Sequence, residues 1–294
     1  MRVSYVVLRF TSPFHVGRWS LMDSLDYVPS DTIYSALFSL SASTGLEMPK
    51  RVSSAYPVNP EGRDVEERLG MPVPATWKVE GFKRGIGGKY VKKARFMPLA
   101  CLRSGSVEEG GDGFKCRLPG GSIRLDQWPC DGRTEAGQRP CKGLGSRVVI
   151  SRNRISRHVV NADPYKIAAF IPSVPYVIYF EGGDRRLFEL LGKVGIGGER
   201  AVGLGKFEVL EFGEVDFLEG GKAAMLLGVG RPVGFKNAVG EWAVKSWRCT
   251  HGIIGPLSVL LDGGVVEGDF EFEDVERADS PCLKKLSPLW IWLS

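Results

Sequence analysis

The sequence predicts an α+β fold in two halves, each organised as a β-α-β-β-type unit. Three observations carry this expectation. Runs with strand character alternate with only a few helical patterns along the 294 residues. The 43% hydrophobic content can furnish a substantial core, and the length suits two domains. The 38 glycines and 18 prolines favour short elements joined by long loops. The expected division runs 1–160 and 161–294.

Ser4-Tyr-Val-Val-Leu-Arg-Phe10 reads as a buried opening strand, and Ser12–Gly17 turns away from it. Residues 30–40 predict a helix capped by Ser30 or Asp31, with Ile33, Ala36, Leu37 and Leu40 facing the core. Arg51–Pro57 is a second strand, and Gly70–Ala75 is extended and proline-stiffened. Residues 104–146 sustain no period and read as an insertion. Arg147–Arg157 is a strand of β-branched residues and arginines. Pro175–Phe180 opens the second half, with Asp184–Leu191 as its helix. Residues 207–212, 223–228, 242–249 and 257–261 continue the sheet.

Net charge is only +5, but the charges are segregated. No acid occurs from Gly81 to Val107 or from Ala136 to Ala162, while acids gather in Glu267–Asp279. Two acid-free basic runs point to a polyanionic partner, the bland alternative being two solvated loops. The acidic segment is either a protein-docking or a solvated face. The six cysteines (101, 116, 130, 141, 249, 282) form no CxxC pair, so no zinc site of ordinary spacing is expected. Met1 leads straight into a strand pattern with no signal-peptide character, which predicts a cytoplasmic protein with reduced thiols. No apolar run is long enough to span a membrane.

Residues 193–207, Lys-Val-Gly-Ile-Gly-Gly-Glu-Arg-Ala-Val-Gly-Leu-Gly-Lys-Phe, set five glycines among Lys193, Arg200 and Lys206. Glycine permits positive φ and close backbone approach, and successive N–H groups can then cradle an anion. The alternative is a helix C-cap followed by a tight turn. A Walker A loop would need glycine where Arg200 stands and Ser or Thr where Phe207 stands. A dinucleotide turn would require the order strand, loop, helix, the reverse of that predicted.

Gly195–Phe207 resembles the C-terminal glycine-rich loop of the RAMP superfamily, the RNA-binding subunits of CRISPR effector complexes. Pro13-Phe-His-Val-Gly17, Pro29-Ser-Asp-Thr-Ile-Tyr-Ser-Ala-Leu37, Ser53-Ser-Ala-Tyr-Pro57, Met71-Pro-Val-Pro74, Lys92-Lys-Ala-Arg95 and Arg152-Asn-Arg-Ile-Ser-Arg157 follow in order. That ordered set is similar to the fourth Csm subunit of type III-A complexes, with the equivalent type III-B subunit a near neighbour. The resemblance implies two ferredoxin-like, RRM-like domains, the second carrying the loop 195–205, and a thumb-like hairpin within 104–146. It implies a subunit that holds the 5′ handle of a guide RNA and docks on a large polymerase/cyclase-like subunit and a backbone RAMP subunit. No cofactor, metal or membrane is implied. The residues carried over for RNA contact are His15, Arg18, Lys92, Lys93, Arg95, Arg152, Arg154, Arg157, Gly197, Gly198, Arg200, Gly203, Gly205 and Lys206.

A related role, guide-RNA-processing endonuclease, would need His15 or His158 as proton donor or acceptor. Neither has a partner base recognisable by spacing, and a non-catalytic subunit is expected. Asp23, Asp26 and Asp31 near the first helix read as capping and turn residues.

Overall fold

The computed structural model describes residues 1–17, 20–104, 107–108, 113–118, 121–129, 143–155, 162–249, 252–277 and 282–293. β1 (Arg2–Phe10) leads to α1 (Ser30–Thr44), then β2 (Arg51–Val52) and β3 (Tyr56–Pro57). An insertion follows with α2 (Val65–Arg68), β4 (Gly70–Pro72), α3 (Ala75–Lys83), α4 (Gly88–Lys93), β5 (Phe96–Pro98) and α5 (Leu99–Ser104). It continues through β6 (Val107–Glu108), β7 (Lys115–Leu118) and β8 (Gly121–Arg124) to a long hairpin, β9 (Gly145–Ile155) and β10 (Ala162–Pro172). β11 (Tyr176–Glu181), α6 (Arg186–Val194) and β12 (Phe207–Asp216) come next. The C-terminal part holds β13 (Ala223–Leu226), β14 (Pro232–Val233), β15 (Asn237–Val239), β16 (Trp242–Cys249) and β17 (Gly252–Leu260). It ends with β18 (Val265–Glu267), β19 (Glu271–Phe272), β20 (Val275–Arg277), β21 (Cys282–Lys284) and β22 (Trp290–Leu293).

The first sheet has the order β12-β1-β11-β2, with β3 also on β11, and every pairing is antiparallel. In chain order this is β-α-β-β-α-β, the ferredoxin-like arrangement. β1 is central and covered on both faces. Val6 and Leu8 pack with Ile33 and Leu37 of α1 and with Leu187 and Leu191 of α6. Val3, Tyr5 and Val7 pack the other way, against insertion residues such as Met71, Val91 and Phe114 and against Met225 and Ile291. Two-sided burial is why β1 reads as a nearly unbroken apolar run.

This pairing crosses the division expected at residue 160. β11, α6 and β12 do not open a second unit; they complete the one begun by β1 and α1. Among the described residues after Asp216 there is no α-helix. The largest sheet there is β15-β18-β13-β22, accompanied by two-stranded ribbons. Among the described residues no second helix-bearing unit is seen. Local periodicity identified the elements, but hydrogen bonding to a strand far away in sequence decides which sheet they join.

The thumb expected within 104–146 is also placed differently. Its described part folds back into the core, where Phe114 and Cys116 are fully buried and Ile123, Leu125 and Trp128 nearly so. Cys116 on β7 meets Cys101 on α5 in a disulfide, contrary to the expected reduced thiols, because α5 packs over β7 with the two Cα atoms 5.9 Å apart. Cys130 and Cys141 lie outside the described residues.

Polar contacts join the first unit to the C-terminal strands. Ser54 N donates to the Leu227 carbonyl at 2.8 Å and Val229 N to Ser30 Oγ at 2.9 Å. Asp31 is not a cap. It is buried, and its Oδ2 accepts from Lys245 Nζ at 2.8 Å and Trp247 Nε1 at 2.7 Å. The hydroxyls of Tyr56 and Tyr27 donate to the Asp262 carboxyl at 2.7 and 3.1 Å. Burial pushes the Asp262 carboxyl above the usual range, against the opposing hydrogen bonds from Ser54, Tyr56 and Tyr27.

A proton held more tightly in the folded state gives stability that is full below the unfolded pKa and fades as pH rises through the folded one. Asp262→Asn removes the charge and keeps an acceptor. It is expected to raise the urea midpoint at pH 7 and flatten the decline that the parent shows as pH rises above about 4. A lower midpoint at pH 7 would show that the ionised carboxylate, not burial, governs this site.

Candidate nucleic-acid interface

α6 ends at Gly195, φ 90°, whose N–H donates to the Leu191 carbonyl at 2.7 Å. The chain then loops back on itself. Ile196 N donates to the Gly205 carbonyl at 3.0 Å, and Gly205 N donates to the Pro13 carbonyl at 2.8 Å. Between them a single 3-10 turn, Arg200–Val202, is entered through Glu199 at φ 58° and left through Gly203 at φ 91°. A β-carbon at Gly205 would lie 1.9 Å from the Ile196 carbonyl oxygen, and one at Gly197 would lie 2.4 Å from that of His15. These glycines are thus required by the loop's approach to its own chain, where the sequence suggested approach by a ligand. The part left open is the turn 199–203. Among the described residues no group accepts from the amides of Arg200 and Ala201.

His15 holds this loop to the hairpin. It is 6% exposed, its Nδ1 donates to the Ala168 carbonyl at 2.7 Å, and its own carbonyl accepts from Gly198 N at 2.8 Å. A ring enclosed in this way braces the loop and does not present itself at the surface. His158 lies outside the described residues, as do Arg18 and Arg157.

In the hairpin, Arg152 faces Tyr165 across the strands and Arg154 is in register with Asp163. Directly opposed residues share a face. The Tyr165 hydroxyl reaches Glu199 Oε2 at 3.5 Å, so Arg152 stands on the face turned toward the glycine-rich turn. Its Nε is buried without a hydrogen-bond partner among the described residues. Neither Arg152, Arg200 nor Lys206 makes an ion pair among the described residues, and Lys206 is exposed beside Ser12, whose Oγ accepts from its amide at 2.9 Å. Of Arg154, only the backbone is described.

The structure therefore brings together His15, Arg152, Gly197, Gly198, Arg200, Gly203, Gly205 and Lys206. It does not bring Lys92, Lys93 and Arg95 to them. Val91 and Ala94, beside those lysines, are buried in the core on one face of the first sheet. Ile196 of the glycine-rich loop is buried in the core on the other face. Lys92 and Lys93 are exposed at the end of α4. Arg95 is engaged by Asp26, with nitrogen–oxygen distances of 2.5 and 2.9 Å, and lies 4.9 Å over the Phe96 ring. Asp26 is far back in the sequence, so the charge run gave no sign of this pairing.

Arg95 instead lines a cleft of about 680 Å³ together with Lys78, Arg147, Lys245, Asp26 and Asp31, a mixture of charges that the sequence did not reveal. Burial, reinforced by the Arg95 charge, holds the Lys78 ammonium below the usual lysine range. Tyr165 and Glu199 were also missed; neither belongs to a basic run. Among the described residues no helix is long and apolar enough to cross a membrane.

No protein-family model matches this sequence, and no curated protein does. Among solved structures, a chain of the Csm3–Csm4 subcomplex in the type III-A CRISPR-Cas interference complex is similar at a TM-score of 0.58 and 13% identity, over 100% of both chains. A chain of the type III-B Cmr-beta complex bound to cognate target RNA and AMPPnP is similar at a TM-score of 0.39 and 13% identity, over 91% of this chain and 86% of that one. A chain of Cmr-beta bound to cognate target RNA gives a TM-score of 0.30 at 12% identity, over 73% of this chain and 61% of that one. What the first similarity establishes is the architecture: along its whole length the chain shares its fold with a subunit of the Csm3–Csm4 subcomplex.

Proposed function

We propose that this protein is a non-catalytic RNA-binding subunit of a type III CRISPR interference complex, of the type III-A kind. It holds the 5′ handle of the guide RNA and docks on the large polymerase/cyclase-like subunit and on a backbone RAMP subunit. The observation that carries the reading is the juxtaposition of Arg152 and the Arg200 turn, two guanidinium groups without an ion pair among the described residues, on elements joined through Tyr165 and Glu199. Guanidinium groups suit phosphates and can stack on splayed bases, the usual state of recognised single-stranded RNA. The enclosure of His15 supports the non-catalytic part, since a proton donor must reach the RNA.

The test is binding of labelled repeat-derived RNA across a salt series, with product gels from the same tubes. Affinity should fall with salt at a slope of about −0.7 per phosphate contact, and Arg152→Ala and Arg200→Ala should each remove about one contact from that slope. Salt-independent binding would remove the RNA-holding reading. Metal-independent cleavage would replace it with a nuclease.

A further inference from the structure

The acidic segment near the C-terminus borders an aromatic cleft that the RNA-holding reading leaves unused. Trp290 and Trp292 project from the same face of β22, an edge strand of its sheet. Their ring centroids are 5.0 Å apart and nearly perpendicular, and Phe270 packs against both at 5.6 and 6.1 Å. With Asp269 and Glu271 these rings line an open cleft of about 450 Å³ to which no basic side chain of the described residues contributes.

The carboxylates of this segment are used selectively. Glu273 pairs with Arg231 at 2.7 Å, Asp274 pairs with Lys285 at 2.5 Å, and Glu267 accepts from Asn237 at 3.3 Å. Asp269 and Glu271, the two at the cleft, are exposed and have no partner among the described residues. Trp290 already has a guanidinium, that of Arg51, 5.8 Å from its ring centroid. Aromatic faces attract cations, and carboxylates beside them supply hydrogen-bond acceptors for a planar guanidinium. A polyanion would be repelled here.

We propose that this cleft is a docking site for an arginine side chain of a partner protein, with the guanidinium against Trp290 and Trp292 and its N–H groups on Asp269 and Glu271. The site is separate from the glycine-rich turn and does not depend on the RNA-holding role.

The test titrates the full chain with a capped Gly-Ser-Arg-Ser-Gly peptide and with the same peptide carrying neutral citrulline, following the tryptophan indole N–H resonances. The arginine peptide should give saturable shifts of Trp290 and Trp292 at about millimolar concentration, with citrulline at least about tenfold weaker. Asp269→Asn/Glu271→Gln alters only exposed carboxylates and should weaken the arginine peptide about tenfold with the spectrum otherwise unchanged. Trp292→Ala should abolish the response. Equal binding of citrulline, indifference to the double substitution, or shifts of these two indoles by single-stranded RNA would each overturn the proposal. Handle binding is read separately in the salt series, so the two readings fail independently.

Discussion

Asp31→Ala should lower the unfolding free energy by about 3–5 kcal/mol, read from urea midpoints. The carboxylate is 4% exposed, and its Oδ2 collects Lys245 Nζ and Trp247 Nε1 where α1 meets the β16–β17 ribbon. Truncation leaves an ammonium and an indole N–H facing a cavity, and the unpaired groups, more than the lost attraction, dominate the cost. Oδ1 has no hydrogen-bond partner among the described residues, which sets the expectation toward the lower end of that range. Asp31→Asn, which keeps one acceptor, should cost less.

The pH dependence provides a second readout. Burial opposes ionisation of Asp31, but Lys245, Trp247 and Lys284 outweigh it and hold the carboxyl below the usual range. A depressed folded pKa gives stability that is present above the unfolded value, about 3.9, and is lost as pH falls through the folded one. Asp31→Ala should therefore lack part of the acid-induced loss seen in the parent. An alanine variant within about 1 kcal/mol of the parent at pH 7 would mean that this pair does not hold the joint.

Gly205→Ala should be the most damaging small substitution in the glycine-rich loop. Its φ of 73° already disfavours a side chain, and the β-carbon would fall 1.9 Å from a carbonyl oxygen. Relief requires the loop to open, losing the Ile196–Gly205 and Gly205–Pro13 hydrogen bonds. A loss on the order of 3 kcal/mol is expected, together with a larger fall in RNA affinity than Arg200→Ala produces. Gly203→Ala separates the causes. At φ 91° with nothing within 4 Å of the added carbon, it should cost only about 1–2 kcal/mol. Equal effects at the two positions would show that self-approach is not what glycine provides at 205.

The elements were largely legible in the sequence, and their assembly was not. Residues 175–180 and 184–191 announce a strand and a helix by apolar pattern and spacing, and the structure has them at 176–181 and 186–194. Nothing in those residues shows that their sheet partner is β1, because register is set by distant main chain. In the stretch 113–129 the strands are four residues long, too short to sustain a period. The glycine-rich loop was visible by composition, but whether a glycine is crowded by ligand or by its own chain depends on Pro13 and His15, far away in sequence. Arg95 belongs to a basic run, yet Asp26 occupies it. Asp31 has the residue type and position of a cap, and only the fold shows Lys245 reaching it.

The closure of the first sheet by β11 and β12 has a consequence for biosynthesis. β1, α1, β2 and β3 are translated first, yet the strand that links β1 to β2 begins only at Tyr176. At roughly 5–20 residues per second, the stretch of about 165 residues between Phe10 and Tyr176 keeps β1 waiting for about 8–33 seconds. For that interval both edges of a nearly continuous apolar strand are open at the ribosome, a state prone to pairing with the wrong chain. The order of the strands thus places the widest sequence gap of the first sheet at its most apolar member.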